Sequence, residues 1–224
     1  MFEDFKNSID FFIRSKTKFS RKNYVEKNEQ ELARNNAQNE YVFEILDRYF
    51  LKSQKQNLQV LDIGCKNWFY AKGEHRFFSS FSSDFALDGV EIDAYRLYSN
   101  FYSRYEVAKY HIKDLKNTNY VAANLLDLDK KYDYIIWFLP FVTYAPHKSW
   151  GLPKKYFCPD KMLNGAISLM NDGAQMIIIN QGEKERDIQK NMLEKLGLDF
   201  EFLGEIKNQY YNFENKRFGF LVRK

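Results

Sequence analysis

Two short segments carry residue types whose order and spacing suit a nucleoside ligand. Val60-Leu61-Asp62-Ile63-Gly64-Cys65-Lys66-Asn67-Trp68 passes from an apolar run into an acid and a glycine, and Gly89-Val90-Glu91-Ile92-Asp93 closes the next apolar run about thirty residues later. A glycine at the end of a strand lets the backbone turn tightly beside a ligand. An acid at the tip of the neighbouring strand can accept both ribose hydroxyls of a nucleoside cofactor, which is the role open to Glu91. Asp62 has a second use open to it, accepting hydrogen bonds from the backbone of the turn itself. Further on, Trp137, Phe138, Leu139, Pro140, Phe141, Thr143, Tyr144, His147 and Trp150 crowd into fourteen positions. Aromatic faces attract a sulfonium or an amine and also stack on a base, so Phe138, Pro140, Phe141, Tyr144 and Trp150 are candidates for an acceptor pocket, against the plain alternative that they are core. His147 and Glu183 are candidate general bases by location, and a lone histidine in a proline-rich loop has a structural alternative. Cys65 and Cys158 lack metal-pair spacing and are too few for a disulfide framework, so they read as structural thiols, and no metal site is expected.

Positioning these residues requires a sheet. Val60 to Gly64, Ala86 to Ile92, Tyr120 to Ala123, Tyr132 to Leu139 and Ala174 to Asn180 are short apolar runs, the fourth almost continuously apolar like a central strand covered on both faces. Helical stretches separate them: residues 67–81, interrupted by Gly73; a helix with the stripe Ala94, Leu97, Tyr98, Phe101, Tyr105 and Ala108; one with Met162, Leu163, Ala166, Ile167 and Met170; and one with Ile188, Met192, Leu193 and Leu196, capped by Gly197. Residues 201–206 and 218–222 follow without an intervening helix and are expected to pair antiparallel. Alternating strands and helices imply a mainly parallel sheet with helices on both faces, whose ligands sit at the carboxyl ends of the strands. Residues 140–159 hold all four prolines and read as a long structured loop. The first 52 residues are mostly helical, with stripes at Phe2, Phe5, Ile9, Phe12 and at Val42, Ile45, Leu46, Tyr49, Phe50.

The strand-one turn followed by the strand-two acid resembles the class I S-adenosylmethionine-dependent methyltransferases, where an acid-x-Gly-x-Gly-x-Gly loop precedes such an acid. Asp62 and Gly64 match the first two positions, while Lys66 and Trp68 stand where the next two glycines would be. Lys66 could pair with the cofactor carboxylate or fill its space. Ala123-Asn124-Leu125-Leu126-Asp127-Leu128 is similar to the family's Gly-Asp-x-x-Asp-Leu block, with Asn124 where an acid meets the adenine amino group, and Tyr132-Asp133-Tyr134-Ile135-Ile136 is similar to its fourth strand. Lys-Asn-aromatic after the turn and Asn180-Gln181-Gly182-Glu183-Lys184-Glu185 look like a bacterial branch of the superfamily with a divergent glycine loop. The resemblance, from about residue 57 onward, implies an α/β fold. This is a Rossmann-like three-layer sandwich with a mainly parallel seven-stranded sheet and an antiparallel C-terminal strand, plus the N-terminal helical extension. It implies S-adenosylmethionine as cofactor, with Asp62, Gly64, Cys65, Lys66, Glu91, Ile92, Asn124, Leu125 and Trp137 around it. Such extensions often close over the pocket, so residues 1–52 are a possible lid to the domain of residues 53–224, with Arg21 and Tyr24 within reach of the acceptor.

Composition narrows what this machinery serves. The 224 residues are 45% hydrophobic, too apolar for a disordered chain. The longest apolar run, 135–142, is far short of the roughly 20 residues that span a bilayer, and the first residues do not form a signal peptide, so a cytoplasmic protein with no membrane partner is expected. Net charge is +4, yet residues 14–22 hold five bases and no acid, leaving −1 on the rest; this weakens a nucleic-acid reading. Methyl transfer to a small molecule is the first functional expectation. A non-catalytic Rossmann-like binding or regulatory module that has lost its cofactor is the second. A nicotinamide oxidoreductase is the third, because the Gly-x-Gly-x-x-Gly spacing is missing. Phe138-Leu139-Pro140-Phe141 lacks the polar residue of nucleobase-amine methyltransferases.

Overall fold

Strand β1 (Leu58–Ile63) is flanked by β2 (Phe85–Val90) on one side and β4 (Tyr132–Phe138) on the other, both parallel to it. The computed structural model describes residues 2–21, 24, 29–211 and 213–224. With β3 (Thr118–Val121), β5 (Met170–Gln181), β6 (Phe200–Glu205) and β7 (Arg217–Arg223), these form a seven-stranded sheet of order β3-β2-β1-β4-β5-β7-β6. β7 runs antiparallel to both its neighbours, as the missing helix between the last two strands implied. The chain winds outward from β1 to β3 and returns to the other side at β4, so the switch point lies beyond the carboxyl ends of β1 and β4.

Alternation along the strands sorts the core into two layers. Val60, Tyr134, Ile136, Ile177 and Ile179 join one apolar cluster, while Leu61, Ile63, Ile135, Trp137, Met176 and Ile178 join the other. Helices α2 (Glu29–Tyr49) and α3 (Ala71–Ser79) cover the first face; α6 (Pro159–Ser168) and α7 (Gly182–Lys195) cover the second. Among the described residues no helix is long and apolar enough to cross a membrane. The end of α7 follows its sequence signal: Gly197 is left-handed at φ +61°, with Gly197 N–H to the Glu194 carbonyl and Leu198 N–H to the Leu193 carbonyl.

Three expectations change. The stripe from Ala94 to Ala108 does not form one helix; α4 spans only Arg104–Ile112, because Ser103 caps it reciprocally with Glu106 and residues 97–103 fold back on themselves through a bridge between Leu97 and Ser103. Leu97 and Phe101, read as part of a buried stripe, are exposed. Within residues 140–159 the loop contains helix α5 (Tyr144–Ser149) and a 3-10 turn, Lys154–Tyr156. Helix α1 (Phe2–Thr17) forms, but Phe2, Phe5, Ile9 and Phe12 face outward and Phe11 is the residue it buries.

Candidate active site

A cavity of about 560 Å³ opens above the carboxyl ends of β1, β2, β4 and β5. One arm is bounded by Gly64, Lys66, Glu91, Ile92, Asn124, Leu125 and Trp137; the other by Phe138, Pro140, Phe141, His147 and Trp150, together with side chains from α2, α7 and β7.

The turn after β1 keeps a left-handed backbone at three alternate positions, with φ +72° at Gly64, +59° at Lys66 and +48° at Trp68. A non-glycine residue in that region is disfavoured by roughly 1–2 kcal/mol, so the surroundings must hold it. Gly64 N–H donates to the Val90 carbonyl at 2.8 Å, Lys66 N–H to Glu91 Oε2 at 3.0 Å, and the Tyr120 hydroxyl to the Lys66 carbonyl. The Trp68 side chain points inward, wholly buried, and lies against Gly89, where a Cβ would sit 2.8 Å from its ring. The glycine missing from the turn is thus matched by a glycine on β2.

Glu91 is buried at the tip of β2 and lines the cavity. Its carboxylate accepts from the backbone of Lys66 and, at 2.8 Å, of Asp93, and Arg104 Nη1 lies 3.4 Å away. Burial pushes its pKa up while Arg104 pulls it down, and burial is the larger effect. A carboxylate offers about four lone-pair positions, so acceptor capacity remains for a ligand. Lys66 Nζ and the Arg104 guanidinium both pack on the Trp150 ring, 5.1 and 4.9 Å from its centroid. Asn124 Oδ1 caps the 3-10 turn Leu125–Asp127 through the Leu126 N–H at 3.2 Å.

Asp62 and Cys65 lie behind this wall, fully buried and outside the cavity lining. Neither Asp62 oxygen has a hydrogen bond of normal geometry, so it does not serve the turn's backbone. Its polar neighbours are Tyr70, Trp68 and Glu74, and Trp68 Nε1 donates to Glu74 at 2.8 Å. Burial raises both acids, Asp62 to about 7, so this buried pair carries less than two charges at neutral pH.

In the second arm, His147 is almost wholly buried, faces the cavity and has no partner on either ring nitrogen. Burial lowers its pKa, which keeps the imidazole neutral near pH 7. Tyr144 stacks on it from outside the cavity wall, and Phe141 meets it edge-on. Glu183 is exposed and away from the cavity; Glu185, one helical position pair further on, faces it instead. Arg21 packs over Phe101, and Tyr24 against Tyr102 and Tyr110, neither on the cavity wall. Lys22 lies outside the described residues. Arg14 leaves the basic run altogether: it forms a two-pronged ion pair with Asp93 at 2.6 and 3.1 Å and, with Arg96, reaches the Gly151 carbonyl. Asp4 accepts from Lys154 N–H at 2.7 Å and Phe11 packs on Tyr156, so α1 braces the segment that carries Trp150 and Tyr156.

Several wall residues carried no signal of a site in the sequence. Gln38, Tyr41 and Val42 come from α2, Gln189 from α7 and Arg217 from the start of β7. Each reaches the cavity across the sheet end, and nothing in local spacing relates them. Gln181, the last residue of β5, stood in a segment already singled out and could have been found there.

No family model matches the chain, and no curated protein does. Solved structures do. An S-adenosylmethionine-dependent methyltransferase from Aquifex aeolicus is 15% identical, with TM-score 0.56 over 81% of this chain and 88% of that one. Magnesium protoporphyrin IX methyltransferase from Synechocystis PCC 6803, with bound S-adenosylhomocysteine, is 14% identical, with TM-score 0.57 over 99% and 97%. A cyclopropane-fatty-acyl-phospholipid synthase-like protein from Lactobacillus casei is 7% identical, with TM-score 0.63 over 90% and 96%. At such identities the likeness is one of fold: the chain has the Rossmann-like architecture of S-adenosylmethionine-dependent methyltransferases.

Proposed function

We propose that the protein is an S-adenosylmethionine-dependent methyltransferase acting on a small molecule. The observation that carries this is Glu91, facing the cavity at the tip of β2 beside a turn with three left-handed positions. In this reading Glu91 receives the ribose hydroxyls, Ile92, Asn124 and Leu125 enclose the adenine, and Lys66 meets the methionine carboxylate. Gly64 and Trp137 complete the wall, with Asp62 and Cys65 supporting it from behind. S-adenosylmethionine supplies an electrophilic methyl group on a sulfonium sulfur. The chain supplies alignment, which can account for much of such a reaction, and the neutral His147 imidazole takes the proton of an acceptor hydroxyl or amine.

A small-molecule acceptor suits a concave, partly open cavity whose volume lies in the range of such sites. A nucleic-acid acceptor is disfavoured because Arg14, the first of the basic run, is spent on Asp93 inside the protein. The N-terminal extension closes the acceptor side, α2 by contributing wall residues and α1 by bracing the loop.

Thermal denaturation with S-adenosylhomocysteine, S-adenosylmethionine, NAD or no ligand tests the reading. Either adenosyl compound at 100 times its dissociation constant is expected to add about 2.7 kcal/mol, with no effect of NAD, and Glu91→Gln is expected to weaken the response. A cofactor-free binding module would show no response to either adenosyl compound at millimolar concentration, and that result would overturn the proposal.

A further inference from the structure

We infer that the acceptor arm takes a molecule with an aromatic or alicyclic body and one anionic group, a carboxylate or phosphate, and that Arg217 holds that group. The inference rests on the reading of the cavity as a methyltransferase site and names the acceptor's chemistry. Arg217 opens β7 and stands half-buried in the cavity wall, its guanidinium 4.6 Å from the centre of the Phe213 ring. Nη1 donates to Gln181 Oε1 at 2.6 Å. Among the described residues no carboxylate comes within 4.0 Å of the guanidinium. Glu185, the wall acid whose charge acts on Arg217, is already accepting from the Gln181 backbone at 3.2 Å and from Thr143 at 3.5 Å. A partly desolvated guanidinium with most of its five donors unpaired among the described residues calls for an anion, which it can bind through two parallel hydrogen bonds to two oxygens of a carboxylate or phosphate.

Two further side chains point to a ligand in the same cavity. Gln189 and His147 each line the cavity, each is 1% exposed, and none of their side-chain nitrogens or oxygens has a partner. Buried polar groups are ordinarily paired, so both fit polar atoms supplied by a ligand. Aromatic rings line the same cavity: Tyr41 meets Phe213 edge-on at 5.1 Å, and Phe138 and Phe141 also stand in the wall. Such a surface accepts a flat apolar body.

The test uses the full chain saturated with S-adenosylhomocysteine and three probes of similar shape: 4-hydroxybenzoate, phenyl phosphate and the neutral 4-hydroxybenzamide. Calorimetric titration is expected to show at least one of the two anions binding tenfold or more tightly than the amide, and the tighter of the two identifies carboxylate or phosphate. Arg217→Gln is expected to abolish that preference while leaving S-adenosylhomocysteine affinity unchanged. Equal binding of the amide, a preference that survives in Arg217→Gln, or no binding of any probe to the saturated protein would each overturn the inference. The wild-type comparison stands even if the variant does not fold. If S-adenosylhomocysteine itself fails to bind, the functional reading falls separately, and the same anion preference measured on the free protein decides the fate of Arg217.

Discussion

Lys66 and Trp68 hold the backbone that glycine would adopt without cost, and the surrounding residues explain how. Lys66 is tied through its N–H to Glu91 and through its carbonyl to Tyr120, while Trp68 exchanges places sterically with Gly89. The departure from the glycine pattern therefore lies in side chains and leaves the conformation of the turn in place. Beneath it, the uncharged tendency of Asp62 and Glu74 has a consequence for stability. Their folded pKa values lie above the ordinary carboxyl range near 4, so the folded state binds protons more tightly than the unfolded chain. Their contribution is fully present below about pH 4 and is lost as pH rises toward about 7, the folded value for Asp62. Urea denaturation of the wild type from pH 4 to 8 is expected to show this decline, on the order of a few kcal/mol, and Asp62→Asn is expected to flatten it. Equal slopes in the two proteins would contradict the assignment of a raised pKa to Asp62.

Elements are set by contacts as close as those around the turn. Gly73 interrupts the helical pattern of residues 67–81, and the structure shows its use: a Cβ there would lie 2.3 Å from the Asn39 carbonyl oxygen of α2, and its N–H donates to Asn39 Oδ1 at 2.6 Å. Helices α2 and α3 approach backbone to backbone at this point. Gly73→Ala is expected to cost about 3 kcal/mol, measured as a lowered urea midpoint at unchanged slope; a neutral effect would mean that α2 can move away freely. The same scale explains why the helix before β3 is shorter than its sequence period predicts. Residues 94–108 have a fair helical period, but Asp93 is committed to Arg14 and Arg96, and Ser103 starts a new helix with its own capping box.

Across the whole molecule, the N-terminal helix is held by few groups, chiefly Arg14 on Asp93, Asp4 on Lys154 and Phe11 on Tyr156. Arg14→Ala is expected to release α1 alone. Amide protection over residues 2–17 would fall while β1 and β4 stay protected, as hydrogen exchange with mass spectrometry can show; protection lost from the whole sheet would contradict this. The sequence by itself determined the succession of elements along the chain: short apolar runs interrupted by helices, and two final runs with no helix between them. It also brought Gly64, Lys66, Glu91 and Asn124 to the carboxyl end of the sheet, because the ends of consecutive parallel strands must lie together. Other features were decided only in three dimensions. The outward stripe of α1, the placing of Asp62 behind the wall, Glu185 in the cavity where Glu183 was expected, and the arrival of Arg217 beside Gln181 all depend on how layers distant in sequence pack. Periodicity tells which face of an element is apolar, but whether that face meets core, cavity or solvent is settled by the partner it finds.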